Sequence, residues 1–188
     1  MRVLWAGLFG GIVFFIWGSL AHTVLPIGIM GMKLAADQQS TLAAIAPTTH
    51  GAGVYVYPSI APEKWNDAAA VKAFGEANKG SPYAFVVYQP GGNPANVDMT
   101  PNLAKQFGSD LLSAWIVAFV LALGSFGFAK RVFIATALGA FSWQTVSVPY
   151  WNWYMFPVDF TVGSLMEQVI GWMLAGVVMA WWLGRRRR

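Results

Sequence analysis

Long apolar stretches alternate with polar segments along this chain, and four of them approach the roughly 20 apolar residues that a membrane-spanning helix needs. They are Val3–Ala21, Leu111–Ala129, Val132–Val148 and Leu165–Leu183. Glu167 is the only ionisable side chain inside these stretches. Lys130 and Arg131 precede the third stretch and Pro149 follows it, so its ends are well marked. The pattern predicts four transmembrane helices.

The segment between the first two stretches has a different composition and carries periodic elements of its own. Gly53–Tyr57 and Tyr83–Tyr88 have the pattern of short strands, and Pro62–Ala77 has apolar residues at helical spacing. Thr100 has the position of an N-cap before a further short helix that leads into the second stretch. These elements predict a small folded subdomain.

The predicted fold is therefore an all-α membrane protein, a four-transmembrane-helix bundle with a small α+β extracytoplasmic insertion between helices 1 and 2. Residues 1–26 hold the first transmembrane helix, 27–109 the insertion, and 110–188 the other three helices and a cytoplasmic arginine tail. The first stretch also fits a cleaved signal peptide loosely, with Arg2 before it and Ser19 near its end. Its glycines lie at helix-packing spacing, which favours a retained helix.

Composition supports the membrane interpretation. Of the 188 residues, 56% are hydrophobic and only 11% are charged, against roughly 25% charged in a soluble domain. The mean hydropathy is +0.50. A soluble fold of this size has no interior for so much apolar surface, so soluble enzymes, disordered chains and nucleic-acid-binding modules are excluded. The absence of cysteine excludes disulfide scaffolds, thiolate metal sites and thiol nucleophiles.

The distribution of charged residues predicts the orientation of the chain in the membrane. If the N-terminus is cytoplasmic, the cytoplasmic side carries Arg2, Lys130, Arg131 and the run from Arg185 to Arg188, with no acidic residue. Such an excess of cations next to helix ends is the positive-inside signal. We therefore expect a multi-pass protein of the bacterial inner membrane with both termini in the cytoplasm.

Small residues predict which helix faces pack together, because transmembrane helices associate by close approach. The first helix offers Gly7, Gly11 and Gly18 on one stripe, and the fourth offers Gly171 and Ala175.

Polar residues lie on the same stripes at similar depth, near the outer ends of the helices. We expect His22, Gln144 and Glu167 to form a polar cluster below the insertion, with Asp110, Asn152 and Asp159 near its rim. A buried ionisable side chain within a span is costly unless it is paired, so such a residue is a functional-site hypothesis by default.

Several interpretations of this cluster remain open. His22 and Glu167 can form a structural pair that joins two helices, or a site for a proton, a quinone or another small ligand. A metal site needs three or four ligands; His50 in the insertion is one further candidate, and nothing in the sequence fixes its position. We predict no metal and no cofactor.

The run from Phe15 to Pro26, which reads Phe-Ile-Trp-Gly-Ser-Leu-Ala-His-Thr-Val-Leu-Pro, resembles the first helix of an uncharacterised family of four-span bacterial inner-membrane proteins. The similarity extends to the Gly53–Pro58 strand and the break before the second span. The resemblance implies a fold and a location but no chemistry. It draws attention to Trp17, His22 and Pro26.

Motifs of soluble hydrolases, metalloproteases and nucleotide-binding enzymes are missing from the sequence. We therefore expect no catalytic residues and a non-enzymatic role. The leading expectation is an accessory, structural or assembly subunit of a larger inner-membrane complex of respiratory or photosynthetic type. Its partners would be the lipid bilayer and other integral membrane subunits, or further copies of itself, and not nucleic acid. The alternative is a small-ligand or proton-linked membrane protein that uses the His22–Glu167 cluster.

Overall fold

The computed structural model describes residues 1–185 of the chain and is mostly helical, with one two-stranded sheet. The helices and strands run in the order α1 (Arg2–Thr23), α2 (Gln38–Ile45), β1 (Gly53–Tyr57), α3 (Ala68–Ala77), β2 (Ala84–Tyr88), α4 (Thr100–Ala122), α5 (Phe128–Tyr154) and α6 (Val158–Gly184). They form two compact units, residues 34–94 and the remainder of the described chain. Residues 186–188 of the predicted arginine tail lie outside the described range.

Three helices, α1, α5 and α6, are long and apolar enough to cross a membrane. This finding supports a membrane protein. The helix α4 is not among them. Its apolar part within the helix is Leu111–Ala122, which at 1.5 Å per residue spans about 18 Å, whereas the hydrocarbon core is about 30 Å thick. The fourth span therefore stays a prediction.

The predicted end of the second stretch, Leu111–Ala129, was wrong, because the stretch is not one continuous helix. The helix begins at Thr100, ten residues before Asp110, and ends at Ala122. The C-cap of α4 is Leu123, whose N–H donates to the Val120 carbonyl, and the extended Gly127 is the N-cap of α5. Arg131 Nε donates a hydrogen bond to the Leu121 carbonyl at 3.2 Å and so satisfies one of the acceptors that a helix end leaves free.

The start of α4 also differs from its prediction, because Thr100 is the first helical residue and not the N-cap. The Asp98 carboxylate accepts a hydrogen bond from the Thr100 amide at 2.9 Å. This bond, aided by the Thr100 hydroxyl, lowers the pKa of Asp98 below its ordinary value. Asp98 thus does the capping that the sequence assigned to Thr100.

Pro149 does not end the third apolar helix. The helix α5 continues through Pro149 to Tyr154 and ends where Met155 takes a left-handed conformation with φ of 57°. A proline removes one intrahelical hydrogen bond, and transmembrane helices tolerate that loss where neighbouring groups compensate for it. The aromatic residues Tyr150, Trp151, Trp153 and Tyr154 that follow Pro149 therefore belong to the last turns of α5.

The four long helices pack side by side in the order α4, α1, α6, α5. The helices α1 and α6 are central, and α4 packs on α1 while α5 packs on α6. The outer helices α4 and α5 contact each other only marginally, as do α4 and α6. The core of this unit consequently lies along α1, α4 and α6, and α5 contributes only Ala135 to it among its fully buried apolar side chains.

Glycines let the helices of this unit approach closely. A Cβ atom on Gly7 would collide with Trp115 of α4, and one on Gly11 would lie 2.9 Å from the Leu111 Cα atom. On α6, a Cβ atom on Gly171 would lie 2.8 Å from Phe14 of α1. Ala175 is fully buried in the same core.

Indole groups join neighbouring helices by hydrogen bonds to main-chain carbonyls. Each bond offsets the cost of removing an indole N–H from water. The bonds connect Trp17 with the Glu167 carbonyl at 2.9 Å, Trp115 with the Leu4 carbonyl at 3.0 Å, and Trp143 with the Thr161 carbonyl at 2.8 Å.

The unit formed by residues 34–94 contains the antiparallel pair of β1 and β2, in which Tyr55 lies opposite Val86. Both predicted strands are present, although β2 begins one residue later than expected. The predicted helix over Pro62–Ala77 is shorter: Pro62–Lys64 forms a 3-10 turn, and α3 begins at Ala68 after its N-cap Asp67. The carboxylate of Asp67 accepts two backbone N–H groups, which fixes that start.

The helix α2 in the same unit was not predicted. Asp37 caps it by accepting a hydrogen bond from the Ser40 amide at 3.0 Å. The Ser40 side chain and amide together lower the pKa of the Asp37 carboxyl. The helix has eight residues and no apolar periodicity in the sequence that would distinguish it from a loop.

Candidate ligand pocket

The last turn of α1 places His22 beside α6. The Nδ1 atom of His22 lies 3.0 Å from the Gly18 carbonyl oxygen. A carbonyl only accepts, so Nδ1 carries a proton and donates this bond. The same nitrogen lies 3.6 Å from Oε1 of Glu167. That distance is longer than a hydrogen bond and suits an ion pair when the imidazole is protonated.

The Glu167 side chain lies against the main chain of α1. The indole of Trp17 donates a hydrogen bond to the Glu167 carbonyl and fixes this turn of α6 on α1. The carboxylate lies close to Gly18, since a Cβ atom there would be in van der Waals contact with Oε1 at 3.7 Å. The Glu167 side chain is 23% exposed and that of His22 is 49% exposed, so solvent or a ligand reaches both.

The N-terminal half of α4 adds a second carboxylate. Asp110 is only 5% exposed, and its Oδ1 atom accepts a hydrogen bond from Gln106 Nε2 at 2.8 Å. Gln106 and Asp110 are four residues apart, the spacing at which side chains meet on one face of a helix. This pair lines the same cavity as His22 and Glu167.

These side chains surround a cavity of about 330 Å³ between α1, α4 and α6. Its wall combines the carboxylates and the imidazole with apolar groups from α1 and α4. The lining residues are Phe14, Phe15, Gly18, Ser19, His22, Thr23, Met99, Leu103, Gln106, Asp110 and Glu167. We call this cavity the α1–α4–α6 pocket.

Three of the predicted cluster residues do not line the pocket. Gln144 and Asn152 are exposed on α5, which packs mainly on α6 and contacts α4 only marginally. Asp159 is exposed in the first turn of α6, where its carboxylate accepts the Phe160 amide at 3.1 Å. Ser142 and Trp143 face α6 from the middle of α5: the Ser142 hydroxyl oxygen lies 3.1 Å from Gln168 Oε1, and Trp143 donates to the Thr161 carbonyl.

Sequence reasoning missed Gln106 and the apolar wall. The spacing of Gln106 and Asp110 was a usable signal, but Gln106 lay in the segment assigned to the insertion. Leu103 and Met99 were overlooked for the same reason. Within the described residues no group of three histidine or carboxylate side chains is placed to hold a metal ion.

Comparisons with protein-family models, with curated proteins and with solved structures give no match to this chain. The functional argument therefore rests on the geometry of the α1–α4–α6 pocket.

Proposed function

We propose that this chain is an integral membrane protein that binds a small ligand in the α1–α4–α6 pocket. The observation that carries the proposal is the convergence of His22, Asp110 and Glu167 from three helices on one open cavity. Any two of these residues are more than 50 positions apart in the sequence. The fold, and not local spacing, therefore brings them together.

The open cavity favours a ligand site over a purely structural pair. A pair that only joins α1 to α6 needs contact between two side chains and close packing around them, since unfilled space in a helical core forfeits dispersion contacts. Here the carboxylates face a cavity of about 330 Å³, which is within the range of small-molecule pockets. A ligand that enters it replaces the missing contacts.

Cysteine chemistry tests this proposal, because the natural chain has no cysteine and an introduced thiol is unique. The Ser19→Cys variant places a thiol in the pocket wall, and we expect N-ethylmaleimide to modify it in the folded protein. Ala118→Cys, at a fully buried position of α4, is the control that should not react. Thr23→Cys provides a second position in the wall if Ser19→Cys folds poorly.

The ligand is probed with three six-carbon compounds: hexylammonium, hexanol and hexanoate. We expect at least one of them to slow the modification of Ser19→Cys. A thiol that does not react, or one that none of the three compounds protects, would contradict the proposed ligand site.

We further propose that the helical unit lies in a bacterial inner membrane with its termini in the cytoplasm. Arg2 and Arg131 mark one end of the unit, where they donate to the Leu183 and Leu121 carbonyls, and Arg185 stacks on Trp181 at 3.6 Å from the ring centroid. Cations and aromatic rings at one end fit the cytoplasmic interface.

This orientation predicts the labelling of intact cells. A membrane-impermeant maleimide should modify Ser59→Cys, which lies outside the helical unit, in intact cells. It should modify a cysteine at Gly184 only after the cells are lysed. The reverse pattern would contradict the orientation.

An accessory-subunit role is the second candidate, and the packing of α5 favours it. This helix contacts α6 along one side, while Phe133, Phe141 and Trp153 on it are more than 60% exposed. Its free apolar side offers room for helices of another subunit. Native mass spectrometry after mild solubilisation tests this role: a defined partner at fixed stoichiometry supports it, and a lone monomer argues against it.

A further inference from the structure

We infer that the α1–α4–α6 pocket takes an organic ammonium ion, a protonated primary amine on an apolar body. This inference rests on the proposed ligand site and specifies the class of ligand. Three properties of the pocket lead to it: its charge, the direction of its hydrogen bonds and its apolar wall.

The first property is charge. The pocket wall carries the carboxylates of Asp110 and Glu167, and His22 is the only basic side chain in it. No lysine or arginine side chain among residues 1–185 lines this cavity. The wall is therefore anionic whenever both carboxylates are ionised, even if His22 is protonated. Such a wall attracts a cation and repels an anion.

The second property is that the hydroxyl donors of the wall are already used. The Ser19 hydroxyl donates to the Phe15 carbonyl at 2.9 Å, and the Thr23 hydroxyl donates to the Ser19 carbonyl at 2.7 Å. Each hydroxyl oxygen keeps lone pairs that accept a further bond. Both residues therefore present acceptors to the cavity.

The imidazole follows the same rule, whereas the Gln106 amide can both donate and accept. His22 uses its Nδ1–H on the Gly18 carbonyl, so in the neutral ring the other nitrogen, Nε2, is an acceptor. Gln106 uses one amide N–H on Asp110 and keeps its second N–H as a donor and its carbonyl oxygen as an acceptor. Acceptors thus outnumber free donors on this wall, which favours a ligand that brings donors, and a primary ammonium group brings three N–H donors with a positive charge.

The third property is the apolar part of the wall, which distinguishes an organic cation from a simple ion. The rings of Phe14 and Phe15 and the side chains of Met99 and Leu103 line the same cavity. Aromatic faces attract cations, and the aliphatic groups bury hydrocarbon. A bare monovalent ion would leave most of this apolar surface uncovered, whereas an alkyl or aryl amine covers it.

The three six-carbon probes named above also test this inference, because they share a chain and differ in the charge of the head group. Hexylammonium should slow the reaction of Ser19→Cys with N-ethylmaleimide about fivefold or more at a concentration where hexanoate has no effect, as expected for a charge a few ångströms from a carboxylate. Hexanol should protect weakly. Ser59→Cys, outside the helical unit, should be insensitive to all three compounds.

Removing the two carboxylate charges should abolish the preference for hexylammonium over hexanol. In the Ser19→Cys background, Glu167→Gln together with Asp110→Asn retains the shape of the wall, and we expect hexylammonium to protect no better than hexanol. The matched control is Asp159→Asn, which neutralises an exposed carboxylate of α6 outside the pocket and should leave the protection unchanged.

The outcomes separate the two proposals. Equal protection by all three probes, or best protection by hexanoate, would overturn the ammonium inference and leave the ligand site standing. Protection by hexylammonium that persists in the Glu167→Gln, Asp110→Asn background would also overturn it. Failure of every probe would contradict the ligand site itself.

Discussion

Replacing Gly11 with valine is expected to separate α1 from α4 and to cost about 3 kcal/mol of stability or more. A Cβ atom at this position would lie 2.7 Å from the Leu111 Cδ2 atom and 2.9 Å from its Cα atom. The leucine side chain can rotate away, but the Cα atom belongs to the main chain, so α4 as a whole must move. Thermal unfolding in detergent, followed by circular dichroism, measures the effect.

Gly108 provides the matched control for Gly11→Val. It lies in α4, and a Cβ atom there would meet nothing within 4 Å. Because glycine is a weaker helix former than alanine by up to about 1 kcal/mol, Gly108→Ala should leave the melting temperature unchanged or raise it. If Gly11→Val melted like the natural protein, the close packing of α1 against α4 would be wrong, and with it one wall of the pocket.

Truncating Phe14 to alanine is the second change with a large expected effect. Phe14 is 9% exposed and stacks on Trp172 with ring centroids 4.4 Å apart, which links α1 to α6 in the core. Packing drives helix association in a bilayer, so the lost contacts are not replaced by lipid. We expect a loss of about 3 kcal/mol in the free energy of unfolding.

Phe133→Ala is the control for Phe14→Ala because it removes the same atoms from a side chain that is 71% exposed on α5. Solvating lipid or detergent takes the place of that ring, and the expected loss is below about 1 kcal/mol. Equal effects of the two substitutions on the melting temperature would contradict the core that α1 shares with α6.

Long apolar runs predicted the helices α1, α5 and α6, because about 20 apolar residues in succession are typical of a membrane-spanning helix. Boundaries were harder to predict. Pro149 suggested an end that α5 passes through, and α4 ends at Ala122 although the hydropathy pattern continues. These ends depend on hydrogen bonds such as that of Arg131 in α5 with the Leu121 carbonyl in α4. The sequence pattern does not predict such a bond between two helices.

The candidate site, too, was predicted only in part. The sequence placed His22 and Glu167 on small-residue stripes at similar depth, and the structure puts their side chains 3.6 Å apart. Gln144 met the same criteria, yet it is exposed on α5, because depth and periodicity do not determine which helices are neighbours. The order α4, α1, α6, α5 decides that, and it instead brings Gln106 and Asp110 of α4 to the pocket.

The distance between His22 and Glu167 in a lipid bilayer tests the central claim most directly. Rotational-echo double-resonance NMR on protein in bilayers measures it when the imidazole carries nitrogen-15 and the glutamate carboxyl carries carbon-13. The account predicts a separation of about 4 Å or slightly more between Nδ1 and the carboxyl carbon, within the range in which the two charges interact. A separation well beyond about 6 Å would show that α1 and α6 do not bring these residues together, and the pocket proposed as the ligand site would not exist.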